Sequence, residues 1–586
     1  ADPAHPFRFQ GEGKPYTYKL FLEQVHALLG TKGRFGIIVP SGLYSDHGTG
    51  PLRELFLDHC CWEWLFGFEN RRGIFPDVDG RFKFNPVIVQ KGGQTDAIQT
   101  AFMRRKLEDW ENAEDLVTPY SREQVITFSP KSKAILEIQS EKDLEVLTKI
   151  YANSVLLGDD GPDGWGIRYA QGDFNMTSDS KLFPPRPKWE EWGYRPDEYS
   201  RWIKGPWRPI AELWEQLGVG TGNGEQGTGE RELGTGTVKD SGQQGPGPIC
   251  ESPNSTVPMN VATPVSDAAI APSQSPSPVP SSPFPVPGSG NRKRLRVAQP
   301  PYDTLPLPRA SIPAGIILSR DADAYIREDE IPTVTFTDAN GKPLTIKEGR
   351  GKNATEHEIT GPAIALPLYQ GVMFNQLSLN TKSHVSGTGF QAAWEKTELA
   401  RRTAVTPQYL MGQVAYGTLN GECRIAYRRI ARTTDSRTWI GCLLPKLPCG
   451  DSVFLLIPRV SSDAVHLESF CSTLWYDWSV RQRLGGTNLS WFVVSETAAL
   501  RGDERIRDVI ELAGLACHGP VLQLAPQWLR MQEYVKSHKQ SAASTLAERI
   551  RNEVILHSLT AARLALSWDN MGHFFKDCDY SISLLH

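Results

Sequence analysis

The chain has 586 residues, enough for about three to four domains of ~150 residues each, and carries a net charge of −4 with 52 Gly, 43 Pro and 16 Trp. No apolar run approaches the ~20 residues a membrane span needs, and residues 1–6 lack the charged and apolar stretches of a secretory signal, so membrane and exported classes are set aside and a cytoplasmic location is expected. The bulk charge gives no support for nucleic-acid binding, which must be argued from local charge.

The chain opens Ala1-Asp2-Pro3 without an initiator methionine, which reads as a fragment or a processed form. Its nine cysteines include no CxxC pair. Neither a zinc site nor a disulfide framework is therefore expected, only reduced and mostly buried thiols.

In chain order, residues 18–29 place apolar side chains at helical spacing and end at Gly30 and Gly33. Phe35-Gly36-Ile37-Ile38-Val39-Pro40 reads as a short buried strand. Residues 52–59 form a second amphipathic helix, and residues 64–68 and 86–90 form two further strands. This order fits an α/β layer ending in a hairpin. Residues 96–218 read as a mixed bridging region with a helix over 141–152. Residues 219–300 turn Gly-rich, then Pro/Ser-rich, and have no means of burying a core, so they read as a disordered insertion. Its basic end, Arg292-Lys293-Arg294, is read as solvated charge. Strand-like pieces alternate with turns from 305 to about 494, and helical spacing dominates from 545 to 568.

Four strings in the first hundred residues, taken in order, resemble the back half of a gamma-type adenine-N6 DNA methyltransferase of restriction–modification or phage-defence systems. Tyr18-Lys19-Leu20-Phe21 with Ala27-Leu28-Leu29 resembles the helix after that family's catalytic loop. Gly33-Arg34-Phe35-Gly36-Ile37-Ile38-Val39-Pro40-Ser41 resembles its GGxxxxIxP strand, and Leu52-Arg53-Glu54-Leu55 its LRxxL helix. Phe68-Glu69-Asn70-Arg71, Ile74-Phe75-Pro76-Asp77-Val78 and Arg81-Phe82-Lys83-Phe84 resemble its FEN…IFPxVxxxFKF segment.

The resemblance implies transfer of a methyl group from S-adenosyl-L-methionine to adenine N6 in duplex DNA. Such chemistry requires the base to be flipped out of the stack. An extrahelical adenine needs aromatic faces, worth about 1–3 kcal/mol per base, and the resemblance assigns one of them to Phe75. The family's Gly-rich cofactor turn and its Asn/Asp-Pro-Pro-aromatic tetrapeptide do not precede Tyr18. Gln299-Pro300-Pro301-Tyr302 is only superficially similar to the latter. The isolated chain is therefore expected to be inactive, with its cofactor-binding residues unknown.

The second half carries a further resemblance, to the DNA-recognition region of large methylases and combined restriction–methylation enzymes. Its strings are Leu366-Pro367-Leu368-Tyr369-Gln370-Gly371-Val372-Met373, then Arg424 to Arg432 with Thr434-Asp435-Ser436-Arg437-Thr438. Last comes Asp477-Trp478-Ser479-Val480-Arg481-Gln482-Arg483-Leu484-Gly485-Gly486-Thr487-Asn488, similar to DxxxRQxxGGTxLN. Between Arg401 and Ile440, seven arginines face only Glu422 and Asp435, a balance that suits duplex DNA. Arg424, Arg428, Arg429, Arg432, Arg437, Arg481, Gln482, Arg483, Gly485, Gly486, Thr487 and Asn488 are the expected DNA-contacting residues.

The architecture expected is α/β. The C-terminal part of a Rossmann-like methyltransferase sheet (1–95) and the bridge (96–218) lead to the insertion (219–300). A mixed α/β target-recognition domain (301–500) and a helical C-terminal region (501–586) complete it. Two alternatives stand beside the methyltransferase: a combined restriction endonuclease–methyltransferase, and a non-catalytic recognition subunit. Duplex DNA and other defence-system subunits are the expected partners. No metal site is expected, since no convincing acid–x–Lys follows Pro76-Asp77.

Overall fold

Apolar residues at every second position of 34–40 and 83–91 build the first sheet. The computed structural model describes residues 7–218 and 312–576, apart from residues 13, 81, 349–354, 417–422, 434, 502–503 and 539–540. The Gly/Pro/Ser-rich segment 219–300, Arg292-Lys293-Arg294 and Pro300-Pro301-Tyr302 lie outside the described residues.

Helix α1 (Thr17–Leu28) leads into β1 (Arg34–Pro40), α2 (Gly50–His59), β2 (Cys60–Glu69), β3 (Lys83–Lys91), β4 (Ala97–Arg104) and β5 (Thr118–Ser121). The five strands form one sheet in the order β1-β3-β2-β4-β5. Strand β3 lies between β1 and β2 and is antiparallel to both, so β1 and β2 run parallel to each other through the α2 crossover. Strand β4 is parallel to β2, and β5 is antiparallel to β4. The sheet thus runs past residue 95 to Ser121. Helix α3 (Glu141–Ala152) starts where Ser140 and Asp143 cap each other's backbone N–H groups, a reciprocal arrangement that satisfies two orphan donors.

Three short strands follow: β6 (Arg168–Ala170), β7 (Tyr194–Pro196) and β8 (Trp202–Lys204). Beyond residue 311 come β9 (Ile364–Pro367), β10 (Leu410–Gly412), β11 (Cys423–Arg428), β12 (Gly441–Pro445) and β13 (Val453–Ile457). They assemble into two antiparallel four-stranded sheets, ordered β12-β11-β13-β6 and β10-β9-β8-β7. Each contains strands from both sides of residues 219–311. Residues 96–218 and 301–500 therefore share sheets, and the bridge read from sequence is part of the same fold as the segment after the insertion.

The strand-like reading up to residue 494 does not hold over 463–495. There the chain forms α4 (Asp463–Cys471), α5 (Leu474–Arg483) and a short helix, Trp491–Ser495. All nine residues of α4 are buried. A helix surrounded by protein has no polar face, so the 3.6-residue alternation that marks amphipathic helices is missing. The C-terminal region is helical as expected, with α6 (Glu504–Cys517), α7 (Leu546–Arg563) and α8 (Trp568–Lys576) as its longer helices. Trp475 on α5 donates its indole N–H to Thr560 Oγ1 on α7 at 2.9 Å. Among the described residues no helix is long and apolar enough to cross a membrane.

Candidate nucleic-acid interface

In open α/β sheets, ligands bind beyond the carboxyl ends of the parallel strands. Here those ends carry the loops 41–49 after β1, 70–82 after β2 and 105–117 after β4. The first two are held by buried polar side chains.

Arg53, fully buried, clamps the first loop. Its guanidinium donates to the carbonyls of Leu43 (2.9 Å) and Asp46 (2.8 Å), to Thr49 Oγ1 (2.5 Å) and to Ser132 O (2.8 Å). Burial lowers its pKa to about 10, a value at which it still carries its charge near neutrality. Lys19 adds a second brace, donating to Gln10 O (2.8 Å) and Gly48 O (3.2 Å).

Asn70 organises the second loop. Its Nδ2 donates to Phe75 O (2.9 Å) and Val78 O (2.7 Å), while its Oδ1 accepts from Phe75 N (2.9 Å). Phe75 is thereby left 39% exposed, its ring edge-on to Phe84 at 4.8 Å, and Phe84 lies flat against Phe68 at 5.2 Å. The exposed Phe82 sits at the end of the same loop. Phe75 is neither a core residue nor a free one; its backbone is pinned and part of its ring meets solvent.

The two loops meet at Glu137. Lys83 Nζ lies 2.6 Å from Glu137 Oε2, and the Tyr44 hydroxyl donates to Glu137 Oε1 at 2.8 Å. Burial, then the neighbouring Glu137 carboxylate, pushes the Tyr44 phenol well up, so it stays a protonated donor. Glu137 also reaches the segment near residue 482. Its backbone N–H donates to Gln482 O at 2.9 Å, and the Gln482 amide donates back to Glu137 O at 2.7 Å while accepting from Trp478 Nε1 at 3.2 Å.

Three residues further on, Gly485 seats against the loop after β1. Ser41 Oγ donates to Gly485 O at 3.5 Å, and a Cβ at Gly485 would lie 2.4 Å from Ser45 Oγ. Beyond it Gly486, Thr487 and Asn488 are exposed. They run beside the segment after β11: Ala431 N donates to Thr487 O (3.1 Å), Leu489 N to Arg429 O (2.9 Å), and Asn488 bridges to Ile430. The two strings that resemble separate parts of large methylases are thus in contact at the carboxyl end of β1.

The expected DNA-contacting residues divide by burial. Arg432, Gly486, Thr487 and Asn488 are exposed, and Arg429 and Arg437 are partly so. Arg429 stands 3.9 Å from Asp451 and over the Phe454 ring. Arg424 faces inward instead: it is 5% exposed, pairs with Asp173 at 2.7 Å and donates to Leu447 O at 2.7 Å. Arg483 is likewise internal, bound to Tyr151 OH, Ser129 Oγ and Phe128 O, with Glu496 at 3.6 Å. Gln482 is buried on Glu137. Arg428 is held over Phe374 and donates to its carbonyl, with burial lowering its pKa. Arg481 braces Thr433 O, Asp435 O and Asp477. Asp477 accepts from the N–H groups of Thr438 and Trp439 at 2.8 and 2.7 Å. The DxxxRQ part of the string is therefore internal scaffolding, and only its Gly-Thr-Asn end reaches the surface. Arg53, Asn70, Tyr44 and Glu137 were not singled out from sequence; the first two lie inside the LRxxL and FEN strings, and Glu137 carries no local signal.

At the strand-to-helix turn after β5, Ser121 Oγ accepts from Gln124 N at 3.1 Å and Gln124 Oε1 accepts from Ser121 N at 2.9 Å. At the turn after β1, the side of Gly42 is filled by the Asp46 carboxylate and Tyr18 hydroxyl.

No family model and no curated protein matches the sequence. Among solved structures, the type IIG restriction endonuclease BpuSI is similar at 11% identity and a TM-score of 0.22, over 95% of this chain and 50% of that one. The chain thus spans about half the length of that structure.

Proposed function

We propose that this chain is part of a site-specific adenine-N6 DNA methyltransferase of the restriction–modification kind, and that it supplies the DNA-facing side of the site. The observation that supports this reading is the contact of Gly485 with Ser41 and Ser45. It joins the methyltransferase-like loop after β1 to the recognition-like Gly-Thr-Asn loop, although more than four hundred residues separate them. Arg429, Arg432, Arg437 and the 486–488 backbone then meet the phosphates, which position a duplex without reading its sequence. Phe75 provides a face for the flipped adenine. S-adenosyl-L-methionine is the methyl donor in this reading.

The test has two parts. The chain itself is titrated with duplex DNA over a range of salt concentrations. Its complete reading frame is then incubated with duplex and S-adenosyl-L-methionine, and digested nucleosides are analysed by mass spectrometry. N6-methyladenine is expected; methylcytosine, or no duplex binding by the chain, overturns the proposal.

A further inference from the structure

A two-stranded ribbon stands beside the segment that carries Arg428, Arg429 and Arg432. Strands Lys382–Ser386 and Ala393–Lys396 pair antiparallel with each other and with no third strand. The base of the ribbon is tied to that segment. Thr381 N donates to Met373 O at 2.8 Å, and Thr397 N to Thr381 O at 2.9 Å. The next carbonyl, that of Phe374, accepts from Arg428. Gly371 N donates to Ser452 Oγ at 3.1 Å, and Ser452 O accepts from Arg429 N at 3.2 Å.

One face of the ribbon is anchored, and its far end is exposed. His384 is 5% exposed, with its ring edge-on to Trp394 at 5.3 Å. Its Nε2 donates to Gly387 O at 2.9 Å, and Gln408 Nε2 donates to the same carbonyl at 3.4 Å. The turn beyond requires glycine: Gly387 has φ 77°, and a Cβ there would lie 2.3 Å from Gln391 O. On this anchored turn Ser386, Thr388 and Gln391 are exposed, and among the described residues their side chains have no hydrogen-bond partner.

Charge and shape select the partner. Lys382 and Lys396 are direct cross-strand neighbours, so their side chains rise on one face. Both are exposed, and neither has an ion pair among the described residues. Like charges directly opposite each other destabilise a ribbon, and a phosphate between them removes the repulsion. Among the described side chains of the ribbon, Val385 alone is a large exposed hydrophobic, which does not suit a protein partner that needs an apolar centre. The major groove of B-DNA, about 12 Å wide, admits a two-stranded ribbon. A glutamine amide and hydroxyl groups at the tip are groups that read base edges there.

We propose that the 382–396 ribbon enters a groove of duplex DNA, where Thr388 and Gln391 read base edges and the Lys382–Lys396 pair takes a backbone phosphate. This rests on the DNA-acting function proposed above and adds to it the element that sets sequence preference.

The probe is a pool of random-sequence duplexes, incubated with the whole chain; the bound fraction is sequenced. The native chain is expected to enrich a preferred sequence. Gln391→Ala and Thr388→Ala should each relax that preference at particular base pairs by about five- to hundredfold, the range of one lost base contact. Gln391→Met, which keeps the length without the amide, should relax it as Gln391→Ala does. Affinity of all three for unselected duplex should stay within about twofold. Lys382→Ala with Lys396→Ala should act differently: every sequence is weakened alike, the slope of log affinity against log salt falls by about 0.9 for each lysine, and the melting temperature does not fall. An unchanged preferred sequence in a Thr388→Ala, Gln391→Ala double variant overturns the proposal, as does a native chain that enriches no sequence while binding duplex. Absence of any duplex binding by the native chain removes the DNA-acting reading itself, so the two failures are distinguishable.

Discussion

Gly485 lies so close to Ser45 that a Cβ on the glycine would fall 2.4 Å from Ser45 Oγ and 2.7 Å from Ser45 Cβ. Ser45 is not free to yield, because its hydroxyl donates to Ser41 O at 2.9 Å. Gly485→Ala must therefore move the 485–488 loop away from the carboxyl end of β1. Overpacking of this kind costs about 1–3 kcal/mol. Duplex affinity should fall, and Ser45→Gly in the same chain should restore it. A double variant as weak as Gly485→Ala alone would show that the contact does not set the loop.

Two arginines eight residues apart should behave in opposite ways. Arg432→Ala removes an exposed charge and should lower duplex affinity, reducing the slope of log affinity against log salt by about 0.9. Arg424→Ala leaves the part-buried Asp173 without its arginine, with the Cys449 N–H as a remaining donor; breaking a fully buried pair costs about 3–5 kcal/mol, which is the upper bound here. Its melting temperature should drop steeply while the salt slope of the folded fraction stays unchanged. Calorimetry and binding titrations at several salt concentrations check both.

Phe75 and Asn70 can be separated in the same way. Phe75→Ala removes a part-exposed ring and should leave melting nearly unchanged, but it should reduce the flipped-state signal of a fluorescent adenine analogue in the complete methyltransferase. Asn70→Ala removes three hydrogen bonds from a buried side chain. Buried groups left unpaired cost about 1–3 kcal/mol each, so this variant should both melt earlier and lose the signal. A Phe75→Ala variant that melts as early as Asn70→Ala would make the ring a packing residue.

Glu468 on α4 gives the chain a pH dependence. It is fully buried, and burial raises its pKa from 4.5 to about 8. Between those values the unfolded chain ionises this group and the folded chain does not. Stability is therefore undiminished below pH 4.5 and falls by about 1.4 kcal/mol per pH unit as pH rises towards 8. Glu468→Gln should remove that loss: the gap in melting temperature between variant and native chain should widen from pH 6.5 up to pH 8. The buried His466 and His518 and the half-buried His557 act with the opposite sign, since desolvation lowers their pKa values to about 4, 3 and 3. Below pH 6.5 they favour unfolding, and His518 stands 3.9 Å from Glu468 Oε2, so the comparison is read between pH 6.5 and 8, where the imidazoles are mostly neutral in folded and unfolded chains alike.

The sequence made some of this fold readable and hid the rest for identifiable reasons. Helix α3 was legible to the residue, because Ser140 and Asp143 mark its start and one face is apolar. Strands β1, β2 and β3 were legible from short apolar runs such as Ile37-Ile38-Val39 and Trp64-Leu65-Phe66, whereas β4 and β5 were read as part of a mixed bridge because polar residues interrupt them. Helices α4 and α5 were missed because burial on all sides erases their periodicity. Arg424 and Arg432 look alike in a basic run; what distinguishes them is Asp173, some 250 residues earlier. The meeting of Ser45 with Gly485 is non-local in the same sense, and no window of neighbouring residues contains it.

Strands β6 and β8 pair with β13 and β9, which are made only after residue 311. Such pairings close very large loops, and contacts of high sequence separation form slowly. During synthesis the first 218 residues must therefore wait with two sheet edges unfilled, a state in which exposed backbone invites wrong partners. The same arrangement makes the molecule divisible. Two polypeptides, residues 1–218 and 312–586, hold complementary halves of both sheets and should reconstitute one particle when produced together, although no peptide bond joins them.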